Sequence, residues 1–329
     1  MSDPAHEYTD EEIRRVERRL AREYKQAGAE IQKKMERCLE RSAVNNEKKR
    51  KQVENGELSE EKYKEWLYGQ TMVGQRWKEM RENLAVDYHN ANLRAKGIID
   101  EQMPKVYAEN FNYGTFIGEK ETKMSTAFTL YSEDTVKRLA RENKILLPKR
   151  EPPKDGSKPK DVKWNEKKIT SAILQGVLQG EPITKIAKRL QTVTDMNDRA
   201  AVRNARTMMT AAQNAGRLDG LNRIQDKTGM HIQKQWMATL DGRTRHSHRM
   251  LDGEIVDMDD EFSNKIKYPG DPSGTPAEVY NCRCTLVVKI PGLENDDLTD
   301  MSHRNTDKLK QEYEDWKNAL AKPEKKKGK

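Results

Sequence analysis

The feature that most constrains the fold is a row of apolar side chains near the start of the chain: Ile13, Val16, Leu20, Tyr24, Ala27, Ile31, Met35 and Cys38. Their 3-4-4 spacing repeats as an eleven-residue unit, which keeps one stripe on one side of a nearly straight helix. The pattern is too short to decide between a helix packed within its own chain and a coiled-coil partner. Asn55-Gly56 interrupts it, Ser59 and the acidic residues after it suit a new helix start, and Tyr63, Leu67, Gln70, Trp77, Met80, Leu84, Tyr88 and Ala91 resume helical spacing. The first hundred residues or so therefore predict a long helical hairpin. Trp66 and Trp77 fall on this pattern and read as core or partner-facing indoles rather than a stacking platform for bases.

Pro104 and the aromatic-rich run from Tyr107 to Phe116 are expected to break the pattern, with a short helix capped by Ser132 to Asp134 and ending near Leu147-Pro148. Prolines and lysines then dominate, and residues 151–164 read as a linker between an N-terminal helical region, 1–150, and a second domain, 165–321. Asn165 is the expected cap of a helix bearing Ile169, Ile173, Leu174, Val177 and Leu178 and stopped at Gly180. A short helix around Ile186 follows, then a longer one from near Asp195 to Gly229, whose alanines suit a compact bundle. From His231 the segments IQKQWMAT and CTLVVKI read as strands of a small sheet, bounded by the Pro/Gly-rich loop YPGDPSGTPAE. A last helix is expected from about Asn305 to Ala319, followed by a basic, disordered tail at 322–329. The fold class is α+β, predominantly α-helical.

Charged residues make up 35% of the chain and hydrophobic ones 34%, a balance that suits helices with much of their surface in water rather than one large core. The net charge of +8 is compatible with a polyanionic partner, although 54 acidic residues stand among 62 basic ones, as on ordinary solvated helix faces. Three cysteines, Cys38, Cys282 and Cys284, are too few and too unevenly placed for a disulfide framework and point to a reducing compartment. The N-terminus lacks the basic and apolar runs of an export signal, and no stretch approaches the roughly 18 apolar residues of a membrane span, so a soluble chain without a membrane partner is expected.

The densest chemistry lies in D-x-R-T-R-x-x-H from Asp241 to His248, then Asp252-Gly253, the Pro/Gly loop, and Asn281-Cys282-Arg283-Cys284. Cysteines at i and i+2 face one side of a strand. With His248, and with His246 or Asp241, Cys282 and Cys284 have the donor types of a tetrahedral zinc site. The one-residue spacer is short for chelating a single metal, so the favoured reading has no cofactor: buried thiols beside a hydrogen-bonded His248, with structural zinc as the alternative. Arg243, Arg245 and Arg283 with Asp241 and Asp252 offer a second kind of clamp, and the same arginines suit a phosphate site. Some clamp is expected because a Pro/Gly loop of this composition promises few local hydrogen bonds.

Together with Trp236 upstream, this block resembles the Mu F-like minor head protein family of tailed phages, specifically over about Trp236 to Val288 and more loosely over Ile169 to Gly229. The resemblance implies a non-enzymatic virion component, present in few copies, associated with the portal and retained in the head. It also implies capsid or scaffold proteins and packaged double-stranded DNA as partners, roles in head assembly and in packaging or release of DNA, and a place inside the capsid after assembly in the host cytoplasm. Two other functions compete: a metal-dependent nuclease using Asp241, His246, His248 and the cysteines, and a stand-alone DNA-binding protein. The nuclease lacks a second acidic cluster, and a nucleotide-utilising transferase lacks a Gly-rich phosphate loop.

Overall fold

We describe the protein from a computed structural model, over residues 3–130, 157–179, 181, 183–292 and 306–321. The helix expected after Ser132, residues 151–156 of the expected linker, the tail at 322–329 and the side chain of Cys38 lie outside the described residues. Within them the chain is a predominantly helical α+β protein. Its elements are α1 (Pro4–Glu54), α2 (Glu60–Tyr68), a π-turn (Gly69–Val73), α3 (Gln75–Thr122), α4 (Lys160–Leu178), α5 (Ile183–Lys188), α6 (Leu190–Thr228), β1 (Gln233–Met237), α7 (His246–Met250), β2 (Ile255–Asp257), α8 (Pro276–Val279), β3 (Thr285–Lys289) and α9 (Thr306–Ala321). Among the described residues no helix is long and apolar enough to cross a membrane.

The described residues group into two compact units that interleave along the chain. The first unit draws on Met1–Glu17, Ile99–Lys149 and Arg203–Lys329, the second on Arg18–Ile98 and Arg150–Val202. Residues 160–164, read from sequence as connector, are the first turn of α4, because Pro159 precedes the helix without demanding a backbone donor and Val162 is already buried. Asn165 is therefore inside the helix and not its cap. Its side chain is fully buried and accepts a hydrogen bond from Asn197 (2.8 Å).

In the second unit the predicted hairpin is present. Tyr24 Oη donates to Asn92 (2.7 Å), and Lys34 and Arg94 pair with Asp87 and Glu23, joining α1 to α3. The apolar stripe supplies Leu20, Tyr24, Ala27, Ile31 and Met35 to the interior, and Ile31 and Met35 join Tyr63, Leu67, Trp77, Leu84, Tyr88, Ile169, Ile173 and Val177 in one apolar cluster. The sequence reading missed the break between α2 and α3. There the π-turn frees the carbonyls of Thr71 and Met72, and the buried guanidinium of Arg81 donates to both.

In the first unit α3 continues through Pro104, where a break was expected. A helical proline costs about 3 kcal/mol. That cost is offset because residues 102–104, 106–108 and 110–118 are buried, so packing on every face holds the segment helical. The same enclosure removes the one-sided apolar period from the sequence. Gly216 and Gly220 on α6 meet this stretch so closely that a Cβ on either would sit 2.5 Å from the carbonyl oxygen of Tyr107 or Phe111. The sheet is antiparallel in the order β2-β1-β3, one strand more than predicted, with Trp236 opposite Leu286 and Gln235 opposite Ile255 and Val287. Aromatic side chains of α3 and α9, including Tyr113, Phe116, Tyr313 and Trp316, pack together beside it in the same unit.

Candidate functional site

The site is built outward from α6. On one side of this helix a polar row, Thr210, Gln213, Asn214 and Arg217, recurs at three- and four-residue spacing among alanines and Gly216. Thr210 donates to the carbonyl of Cys282 (2.9 Å) and Gln213 to Thr285 Oγ1 (3.0 Å). Asn214 donates to the carbonyls of Cys284 (3.1 Å) and Pro269 (3.0 Å) and accepts from the Leu286 N–H (3.0 Å). Arg217 donates to both carboxylate oxygens of Asp3 (2.8 and 2.6 Å), to Asn110 Oδ1 (2.9 Å) and to the Leu286 carbonyl (3.3 Å). All four side chains are buried. Burial by itself raises the Asp3 pKa, but the charge and hydrogen bonds of Arg217 outweigh it, so the carboxyl is held below its ordinary value. None of these residues was singled out from sequence; the available signal was the row of hydrogen-bonding side chains on a helix face otherwise made of Ala and Gly.

The strand thus seated carries the NCRC turn. Asn281 adopts a left-handed conformation (φ 53°), which Asn tolerates, and its N–H donates to Thr207 (3.1 Å). Cys282 and Cys284 are both buried and free, and they face the buried His248 on α7. His248 Nδ1 is 3.7 Å from Cys282 Sγ and 3.4 Å from Cys284 Sγ. The Cys282 thiol hydrogen bonds to Cys284, drawing Cys284 down to about 5 with further help from His248 and despite burial, while Cys282 is pushed well above the ordinary thiol value. On its other side His248 Nε2 lies 3.2 Å from Glu278 Oε2, off the line of a hydrogen bond. Trp236, fully buried on β1, packs edge-on against His248 and Phe262, with ring centroids 5.3 and 5.2 Å away.

Of the expected arginine–carboxylate clamps, the structure forms one fully. Arg283 makes a bidentate pair with Asp241 (2.6 and 2.7 Å). With the Arg243 N–H (2.8 Å) also donating, the Asp241 carboxyl is held well below the carboxylate range. Arg245 donates instead to the backbone carbonyls of Glu278 and Tyr280, and Arg249 to the Asp241 carbonyl (2.8 Å). Arg243 is 80% exposed, with its guanidinium 3.9 Å from Asp241. Asp252 accepts from the Ala238 N–H (2.8 Å) rather than from an arginine. Gly253 takes φ 83° and donates to the Trp236 carbonyl (2.9 Å), a backbone position that favours glycine. His246 is exposed and lies outside the His248–Cys282–Cys284 group, as does Asp241.

The Pro/Gly loop also departs from expectation, because it does hold itself locally. The buried Asp271 carboxylate accepts from the N–H groups of Lys267 (3.0 Å) and Ser273 (2.9 Å) and from the Ser273 hydroxyl (2.7 Å), and Pro276 begins α8. The thiols and His248 open onto a cleft of about 590 Å³ whose lining includes Arg14, Arg206, Arg243, Arg245 and Arg283. Arg206 is paired with Glu17 (2.5 Å), so much of this positive charge is already matched.

An α-helical scaffold that pins a Trp–His–Cys–Cys motif to a three-stranded sheet coincides with a known family: residues 167–287 match Phage Mu protein F like protein. The chain belongs to this family of phage minor head proteins. It is 30% identical over 292 residues to Minor head protein GP7 of Bacillus phage SPP1, covering 87% of this chain and 85% of that protein. A shorter similarity, 30% identity over 150 residues, joins it to NAD(+)--arginine ADP-ribosyltransferase EFV of Enterococcus faecalis, covering 45% of this chain and 30% of that one. No solved structure matches the chain.

Proposed function

We propose that this head protein works inside the capsid with the portal, in head assembly and in packaging or release of DNA, without catalysing a reaction. The reading rests on one observation: the similarity to a phage minor head protein runs over most of both chains. By contrast, the match to the ADP-ribosyltransferase leaves about two thirds of that enzyme uncovered, so its named activity is not carried over. Assembly in the host cytoplasm, contacts with capsid or scaffold proteins, and retention in the head follow from the same reading. Among the arginines lining the cleft, the 80% exposed Arg243 supports contact with the DNA backbone, where each neutralised phosphate releases counterions and makes binding fall with salt.

Cross-linking of purified procapsids followed by mass spectrometry tests the portal contact. Cross-links between this chain and the portal protein are expected. A chain that links only to the coat shell contradicts the portal role. Incubating the purified protein with plasmid and divalent metal tests the nuclease alternative: intact plasmid is expected, and cleavage abolished in Asp241→Ala protein overturns the non-enzymatic reading.

A further inference from the structure

We propose that His248, Cys282 and Cys284 bind one zinc ion, with a fourth coordination position open to the arginine-lined cleft. The three side chains come from two segments more than thirty residues apart in sequence, all are buried, and their donor atoms lie within 4.8 Å of one another. Zinc bonds of about 2.3 Å to sulfur and 2.0–2.1 Å to nitrogen at tetrahedral angles separate S from N by about 3.6 Å. The observed separations of 3.4 and 3.7 Å bracket that edge, so the ion fits without moving the ligands far. The short C-x-C spacer, which argued against a chelate, is accommodated because both sulfurs already face one ring nitrogen.

The surroundings suit a metal better than a pair of thiols. Glu278 Oε2 stands 3.2 Å from Nε2, on the ring nitrogen that does not face the sulfurs, the place a carboxylate takes behind many zinc-bound histidines. Without a metal, one ring nitrogen faces two sulfurs and can hydrogen bond to only one of them at a time. With it, Zn²⁺ replaces both thiol protons, which leave to solvent, and two thiolates and a neutral imidazole give a site with no net charge, cheap to bury. Among the described residues no fourth His, Cys, Asp or Glu joins the group, and its three members line the cleft, which leaves a place for water or an anion. Three protein ligands with an open position is a recognised zinc arrangement.

The full chain, purified from zinc-supplemented cells without chelators, tests this independently of any role in the head. About one zinc per chain is expected by elemental analysis, with a lower melting temperature after chelation that zinc restores. Replacing zinc by Co²⁺ is expected to give tetrahedral visible bands and thiolate-to-cobalt charge transfer. Cys284→Ser and His248→Gln are expected to lose at least nine-tenths of the metal, while His246→Ala keeps it. Because the first two variants can also fail to fold, the wild-type cobalt spectrum decides on its own. Substoichiometric metal after zinc incubation, or a cobalt spectrum lacking thiolate bands, overturns the proposal and leaves the head-protein reading standing.

Discussion

In the unit built around Tyr63, Leu84 and Ile169, the interior is chiefly one apolar cluster, with local buried polar contacts such as Asn165–Asn197, whereas the unit carrying the NCRC turn joins α1, α3, α6 and β3 through Asp3, Asn110, Asn214 and Arg217. The second arrangement also contains aromatic packing, but its alignment of strand to helix depends on directional bonds. Apolar contacts tolerate exchange of similar volumes, since the free energy follows area and fit. A buried ion pair behaves differently, because removing one partner strands the other without water. The family motif therefore sits in the half of the molecule least able to absorb a change in a polar side chain.

The largest effect that separates the two halves is expected from Arg217→Ala or Asp3→Ala. Each leaves a buried charge unpaired, and urea melts of the full chain should show a loss of about 3–5 kcal/mol. The same pair predicts an acid response. Asp3 has a depressed pKa, so its contribution is complete above the unfolded value of about 3.9 and is lost as the pH falls through and below it. Melts between pH 7 and 3 should steepen for wild type relative to Asp3→Asn, and parallel curves would remove Asp3 from the account.

Next in size is Gly220→Ala, which pushes a methyl group against the carbonyl of Phe111 and should cost about 1–3 kcal/mol by the same melts. Leu67→Met, in the apolar cluster, keeps volume and should cost less than about 1.5 kcal/mol. If it proves as damaging as Gly220→Ala, the contrast between the two interiors fails. Arg243→Ala is expected to change stability by less than about 0.5 kcal/mol, since the side chain is mostly solvated.

These contrasts also explain what the sequence could and could not disclose. The apolar stripe of α1 and the strand around Trp236 were legible because each buries one face and leaves the matching period, and the strand around Leu286, buried on both faces, was legible as a β-branched run between loop signals. Tyr107 to Phe116 was misread because all its faces are covered, which erases the period and hides the helix through Pro104. At the site, the motif disclosed His248, Cys282, Cys284 and the Asp241–Arg283 pair. It could not disclose Asp3 or Glu278, whose roles exist only once distant segments meet. Asp252 and Arg245 were assigned to each other's chemistry on charge alone, and both instead bind backbone. A cut before residue 165 looked natural at the Pro/Lys run, yet Arg217 needs Asp3 and Asn110 from before that cut.

The most direct measurement is quantitative mass spectrometry of purified procapsids and DNA-filled heads from phage encoding the wild type, Leu67→Met or Arg217→Ala. Wild type and Leu67→Met are expected in both particles at a few copies each, with Arg217→Ala depleted from both. Absence of the wild-type chain from both purified particles would contradict its placement in the head.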